Sequence, residues 1–209
     1  MASQFIHITL PDGTRKQVPA GCTVREALTP EGGRLDAKVL AAKINGEPMD
    51  LSRPLEQDAT IEPLTFESAE GREVYRHSST HVMAQAVKEV FPTAQLTIGP
   101  ALDDGFYYDF AFDRPFTPED LEKIEARAIE IMKRGLTVTR SELSKQDAIK
   151  FFQERGEGYK VELINSFDDA SPISLYRQGE FVDLCRGPHL PTTGYVGAFK
   201  LLSTGGAYW

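Results

Sequence analysis

Hydrophobic and polar positions change period several times along this chain. Phe5-Ile-His-Ile-Thr-Leu10 is a β-rich run, Pro11-Asp-Gly13 supplies turn chemistry and Lys16-Gln-Val-Pro19 returns, which predicts an opening hairpin. Thr23-Val-Arg-Glu26 has the spacing of a capping box and predicts a short helix through Leu28, after which Pro30-Glu-Gly-Gly33 interrupts the pattern. Val39-Leu-Ala-Ala-Lys-Ile44 predicts a third strand ahead of the turn Asn45-Gly46, and Ala59-Thr-Ile-Glu62 a last one. Thr65-Phe-Glu-Ser-Ala-Glu-Gly71 reads as a linker.

Beyond the linker the period lengthens. From Glu73 to Phe91 the apolar positions Val82, Met83, Ala86, Val87 and Val90 share one helical face, and Pro92 follows. His77 and His81 are neighbours at i,i+4 but lie well off the centre of that arc, which predicts that the pair faces a cleft or water. Phe106, Tyr108, Phe110 and Phe112 alternate with Tyr107, Asp109 and Ala111 as in a strand with one aromatic face. Thr117-Pro-Glu-Asp120 opens a second helix that ends after Lys133-Arg134 at Gly135, and Ser144 to Arg155 repeats the plan before Gly156. Tyr159–Ile164, Ser174–Gln178 and Glu180–Cys185 read as strands.

The two periodicities predict an α+β chain of two domains. Residues 1–65 have the element order of a β-grasp, ubiquitin-like fold. Residues 66–209 suit a larger α+β domain with a mainly antiparallel sheet packed by helices. A length of 209 residues with 41% hydrophobic content is enough for two modest cores. The net charge of −8 argues against a generally basic nucleic-acid coat and confines any RNA contact to a patch. Two cysteines make no disulfide framework, the N-terminus lacks the order of a signal peptide and no apolar run reaches transmembrane length, so a reduced, cytoplasmic setting is expected.

Against that background, two short motifs carry the chemistry. His77-Ser-Ser-Thr-His81 and Cys185-Arg-Gly-Pro-His189 hold three of the four histidines and one of the two cysteines. Imidazole and thiolate bind metals and move protons near neutral pH. The first couple sits one helical turn apart; the second cannot, because Pro188 breaks a regular helix, so it belongs on a turn at a strand end with Gly187 as the flexible point. Ser78 stands where a metalloprotease helix carries its glutamate, which argues against that class. Three readings fit the four residues: a structural zinc on His77, His81, Cys185 and His189, a hydrolytic site with or without metal, or ordinary hydrogen-bonded histidines beside a small buried thiol.

The wider motif set resembles bacterial-type threonyl-tRNA synthetases. It comprises the β-grasp start, His77-Ser-Ser-Thr-His81, Ile98-Gly-Pro, Gly105-Phe-Tyr-Tyr-Asp109, Tyr159-Lys-Val161, Val182-Asp-Leu-Cys-Arg-Gly-Pro-His189 and Gly205-Gly-Ala-Tyr-Trp209. The resemblance covers only the N-terminal half of such an enzyme, its TGS domain followed by its editing domain. The histidine and cysteine couples alone are similar to alanyl-tRNA synthetase editing domains and their free-standing relatives. The resemblance implies hydrolysis of mischarged seryl-tRNA(Thr) with threonyl-tRNA(Thr) excluded. Serine lacks one methyl of threonine, a deficit worth about 1 to 3 kcal/mol in a binding pocket, so a second sieve is required.

Residue by residue, the resemblance counts His77, Lys160, Asp183 and Tyr108 as catalytic, with His77 beside the terminal ribose hydroxyls, Lys160 near the ester and Asp183 on the seryl amino group. His81, Cys185 and His189 would shape the pocket and position water. Taken alone, Lys160 also fits a side chain snorkelling from a strand, Asp183 a partner of Arg186, and Tyr108 a core residue. Editing is expected to need no cofactor, with zinc on the four His/Cys positions as the less favoured alternative. The chain has no Walker-type loop and no arginine-bearing class II motif; the resemblance places the catalytic core, and with it ATP, magnesium and zinc, after Trp209. The partner implied is tRNA(Thr), above all its aminoacylated 3′ end, with no membrane; the parent enzyme is expected to be a homodimer and this piece a monomer. A free-standing trans-editing deacylase and a non-catalytic zinc-stabilised RNA-binding module are the alternatives.

Overall fold

The computed structural model describes residues 4–168 and 172–206. It divides into two compact units. One runs to Tyr75 and takes in Gly187–Pro191; the other comprises Arg76–Arg186 and the chain from Thr192 onward.

The first unit is a β-grasp. Strands β1 (Phe5–Thr9) and β2 (Arg15–Pro19) form the opening hairpin, and α1 (Val24–Leu28) follows. Thr23 caps α1: its Oγ1 accepts from the Glu26 amide and the Glu26 carboxylate accepts from the Thr23 amide. β3 (Val39–Ile44), β4 (Glu47–Met49) and β5 (Ala59–Thr65) complete a sheet of order β2-β1-β5-β3-β4, in which β1 and β5 are parallel and the other pairs antiparallel. Asn45 (φ 52°) and Gly46 (φ 92°) both take the left-handed region that a two-residue type I′ hairpin turn requires, so the β3–β4 hairpin is fixed by this dipeptide. Period-2 alternation sends Ile6, Ile8, Ala59 and Ile61 into a core with Val24, Ala27, Leu28, Leu51 and Leu55. The expected linker is short: β5 extends to Thr65 and α2 (Ala69–Val90) begins four residues later, so Ala69, Glu70 and Gly71 are helical.

The second unit contains the rest of α2, a short ribbon of β6 (Gln95–Leu96) with β7 (Phe110–Ala111), and helices α3 (Pro118–Arg134), α4 (Lys145–Gln153) and α5 (Gly158–Asn165). An antiparallel sheet of order β10-β9-β8 is made by β8 (Val138–Leu143), β9 (Ile173–Gln178) and β10 (Phe181–Leu184). The strand at β8 has no counterpart in the sequence expectation. On one sheet face Ile173, Leu175 and Val182 pack with Ala148 and Phe152 of α4 and Ile164 of α5. Cross-strand pairing puts Gln178, Phe181, Tyr176 and Asp183 on the other face, where Gln178 bonds to Gln85 of α2.

Three expectations change here. The segment Tyr159–Ile164 is helix α5, not a strand. Its buried positions Glu157, Lys160 and Ile164 follow 3–4 spacing; two of the three are charged, which hid the helical face from a hydrophobic pattern. The aromatic run Phe106–Phe112 is regular strand only at Phe110–Ala111; before it the backbone pairs through an isolated bridge of Phe106 with Ala101. The two histidines of α2 differ: every residue from Ser78 to Val87 is buried, so that stretch is enclosed and His81 is 4% exposed instead of facing water, whereas His77 is half-buried.

Candidate functional site

Four elements of the second unit converge on one buried polar cluster. α2 supplies His77 and His81, the segment before β7 supplies Tyr108, α5 supplies Lys160, and the end of β10 supplies Asp183 and Cys185. Period-2 alternation along β10 points Phe181 and Asp183 toward α2, while Val182 goes to the apolar core on the opposite face.

Asp183, 1% exposed, is the hub. The Lys160 ammonium donates to its Oδ1 at 2.7 Å, and the Tyr108 hydroxyl donates to its Oδ2 at 2.6 Å. Lys160 Nζ also donates to the Tyr108 oxygen at 3.0 Å, closing a triangle of three buried side chains. His81 Nε2 stands 3.7 Å from Asp183 Oδ2. Burial pushes the Asp183 carboxyl up, but the Lys160 charge, His81 and the two hydrogen bonds outweigh it and leave the group below the usual carboxylate range. Burial pushes the His81 ring down to about 3 against the pull of Asp183, so it is neutral at pH 7. Burial and the neighbouring Asp183 carboxylate hold the Tyr108 hydroxyl well above its ordinary value, as a phenol.

The backbone around this triangle is tightly held. Gln178 Nε2 donates to the His81 carbonyl at 3.1 Å, and Thr80 Oγ1 donates to the His77 carbonyl at 2.7 Å. Gly99 lies flush against the Tyr108 ring: a Cβ there would fall 2.1 Å from a ring carbon. The Ile98-Gly-Pro motif therefore acts as a wall behind the tyrosine, and only glycine permits so close an approach.

His77 Nε2 and Cys185 Sγ are 3.2 Å apart, and the rings of His77 and His81 meet edge-on at 5.6 Å. The donor atoms of His77, His81 and Cys185 all lie within 4.8 Å of one another. Tetrahedral zinc with bonds of about 2.0 to 2.3 Å separates its donors by roughly 3.5 Å, and a neutral imidazole is the form that ligates, so this donor set fits a zinc ion chemically. His189 belongs to the first unit, 2% exposed, where its amide donates to Asp50 Oδ1 at 2.7 Å. Gly187 has φ 75°, in keeping with a turn between Cys185 and His189.

Cys185 also borders a cavity of about 570 Å³ whose walls include Leu163, Phe167, Ile173, Leu184 and Arg186. Lys160 does not snorkel, Asp183 takes Lys160 and Tyr108 as partners, and Tyr108 is buried with its hydroxyl engaged. Sequence reasoning missed Glu157 and Lys88, which brace the start of α5. The signal for Glu157 was its place three residues before Lys160 and seven before Ile164, on one helical face.

Two family models match the chain: the TGS domain over residues 6–65, and the threonyl and alanyl tRNA synthetase second additional domain over residues 173–207. The whole chain is similar to threonine–tRNA ligases. That of Symbiobacterium thermophilum is 54% identical over 207 residues, covering 99% of this chain and 32% of the relative. That of Geobacter sp. strain M21 is 52% identical over 204 residues (98% and 32%), and that of Acetivibrio thermocellus 50% identical over 205 residues (98% and 32%). The chain thus spans about a third of the length of these curated relatives and corresponds to their N-terminal region. Among the described residues no helix is long and apolar enough to cross a membrane.

Proposed function

We propose, for a chain with a TGS domain, a threonyl and alanyl tRNA synthetase second additional domain and threonine–tRNA ligases as homologues along its whole length, that the second unit hydrolyses seryl-tRNA(Thr) and spares threonyl-tRNA(Thr). The observation that carries this is the buried Lys160–Asp183–Tyr108 triangle. Charged groups so desolvated contribute little to stability and a great deal to chemistry. The α-ammonium of the bound seryl ester competes with Lys160 for Asp183. Lys160, released in part, turns its Nζ toward the ester carbonyl and stabilises the charge that develops there as water attacks; the acyl bond to the ribose oxygen then breaks, and the proton lost by the water goes to that oxygen, giving free serine and the tRNA hydroxyl. Tyr108, held as a phenol, donates a hydrogen bond, and His77 lies beside the ribose hydroxyls.

Rigidity supports the sieve. His81, Tyr108 and Asp183 are each under a tenth exposed, and Tyr108 cannot recede because Gly99 closes on its ring. A pocket sized for serine has nowhere to put the extra methyl of threonine. The proposed route needs no metal, because Lys160 supplies the positive charge. If zinc binds, His77, His81 and Cys185 hold it, and it would lower the pKa of a bound water. The donor set also favours a second reading, a non-catalytic zinc-stabilised RNA-binding module. We assign the longer protein the ligation of threonine to tRNA(Thr), in a cytoplasmic setting, with ATP, magnesium and zinc in its catalytic core.

Deacylation of seryl- and threonyl-tRNA(Thr) by the chain, together with metal analysis, tests these readings. Hydrolysis of the seryl ester alone, lost in the Lys160→Ala/His77→Ala double variant, is the expected result. Equal hydrolysis of both esters, or full activity in that variant, would sink the editing reading. Bound zinc with no turnover would establish the second one.

A further inference from the structure

Glu157 is a buried glutamate outside the Lys160–Asp183–Tyr108 triangle. It stands at the N-cap of α5, 4% exposed, and makes no side-chain hydrogen bond to its own helix. That is unusual use of a cap, since an acidic residue there ordinarily satisfies the free amides of the first turn. Instead its Oε2 accepts from the Leu96 amide of β6 at 2.8 Å, and its Oε1 pairs with Lys88 Nζ near the end of α2 at 2.7 Å. Lys88 in turn donates to the carbonyls of Pro92 at 3.0 Å and Ala94 at 2.8 Å. The Gly158 amide donates to Gln95 Oε1 at 3.2 Å. The start of α5 is thus tied to the end of α2, to the turn after it and to β6.

Lys160 sits in the first turn of α5, where the partial positive charge of a helix N-terminus disfavours a cation. Something must hold that turn in place while its lysine is buried 2.7 Å from Asp183. We propose that Glu157 and Lys88 are a positioning pair that sets α5 so that Lys160 reaches Asp183 and Tyr108. The pair joins α5 to α2, the helix that carries His77 and His81, so one ion pair keeps the two halves of the cluster in register. The Glu157 charge also contributes, as the weakest of several causes, to holding the Tyr108 hydroxyl protonated. This inference rests on the editing reading for its kinetic consequences but not for its geometry.

The test uses the full chain as wild type, Glu157→Gln, Lys88→Met, the double variant and Glu157→Asp. Single-turnover deacylation of seryl-tRNA(Thr) gives the maximal rate and the half-saturating enzyme concentration separately. The ¹⁵Nζ resonance of Lys160, assigned by its loss in Lys160→Met, reports the lysine directly. The maximal rate is expected to fall by about 10- to 100-fold in Glu157→Gln and in Lys88→Met, with half-saturation nearly unchanged, as for a displaced reacting group. The double variant should be no slower than either single one, because both remove the same tie. Glu157→Asp, which keeps the charge, should recover most of the rate, and the Lys160 resonance should move in every variant that slows. A full maximal rate in Lys88→Met, additive losses in the double variant, or an unmoved Lys160 resonance overturns the pair. If the wild type fails to hydrolyse the ester, the editing reading falls while the resonance still decides the positioning role.

Discussion

The two units bury their polar groups differently. Among the described residues, the first unit buries only Asp50 and His189 from the polar and charged set, and its core is aliphatic throughout. The second buries Lys160, Asp183, Glu157, Asp120, His81, Gln85 and Gln178. Buried ion pairs seldom raise stability over apolar residues of the same volume, because desolvation offsets their attraction. The first unit therefore shows how this chain builds a core almost wholly from apolar side chains, and the second how much buried polarity it tolerates around the candidate site.

The largest effect that can break this comparison comes from splitting the buried pair. Lys160→Met leaves Asp183 charged and desolvated without its cation, and should lower stability by about 3 to 5 kcal/mol in urea unfolding. Adding Asp183→Leu should restore most of that loss while deacylation stays abolished. If the double variant remained as unstable as the single one, the triangle would be a stabilising feature and the contrast between the units would dissolve.

Next in size is a core truncation in the first unit. Ile61, 1% exposed between β1 and β3 in the sheet, is expected to cost about 2 to 5 kcal/mol on mutation to alanine. At temperatures where the variant is folded, its rate on seryl-tRNA(Thr) should match that of the wild type. A lost rate in the folded protein would show that the first unit takes part in the chemistry.

A pH titration sharpens the contrast further. His81 has a folded pKa of about 3 against an unfolded value near 6.5, so between those limits the unfolded chain holds a proton that the folded chain lacks. Stability then rises with pH through that window, and falls on acidification by about 1.4 kcal/mol per pH unit from this group alone. Asp183, held below its ordinary value, adds a change of the same sign at the acid end. Thermal melts from pH 7 to 4 should show a steep decline in the wild type and a shallower one in His81→Asn. Equal slopes in the two proteins would mean that His81 is not buried as the neutral ring.

The same contrast explains which parts of the molecule the sequence announced. In the first unit the hydrophobic pattern and the burial pattern coincide, so the hairpin, the capped helix and the strands at Val39 and Ala59 were all readable; only the short β4 escaped. In the second unit α3 and α4 were readable from their threonine and serine caps and glycine stops. Helix α5 was not, because Glu157 and Lys160 occupy its buried face, and polarity at those positions mimics a surface. The site residues were named by motif, but the motif could not say that Lys160 lies on a helix or that Asp183 links it to Tyr108. Those facts depend on contacts distant in sequence, Lys160 to Tyr108 across 52 residues and Tyr108 to Asp183 across 75. The segment Ala207-Tyr-Trp209 lies outside the described residues.

The smallest effect compares one device used in both units. Thr23 and Thr117 each form a reciprocal capping box, with Glu26 and Asp120 respectively. Replacing a threonine cap with alanine costs about 0.5 to 2 kcal/mol. The Thr23 box is solvent-exposed and stands by itself, whereas Asp120 is 3% exposed and also bonds the Arg114 guanidinium, which packs on the rings of Phe91 and Phe112. Thr117→Ala keeps the amide that donates to the Asp120 carboxylate but loses the Oγ1 that accepts from the Asp120 amide, so it loosens the first turn that presents this carboxylate to Arg114. Thr117→Ala should therefore lower the melting temperature more than Thr23→Ala, and Arg114→Met should shrink the difference, because the extra loss passes through that guanidinium. Equal shifts in the two alanine variants would mean that the cap acts alone in both units, and that polar burial in the second is confined to the reactive cluster.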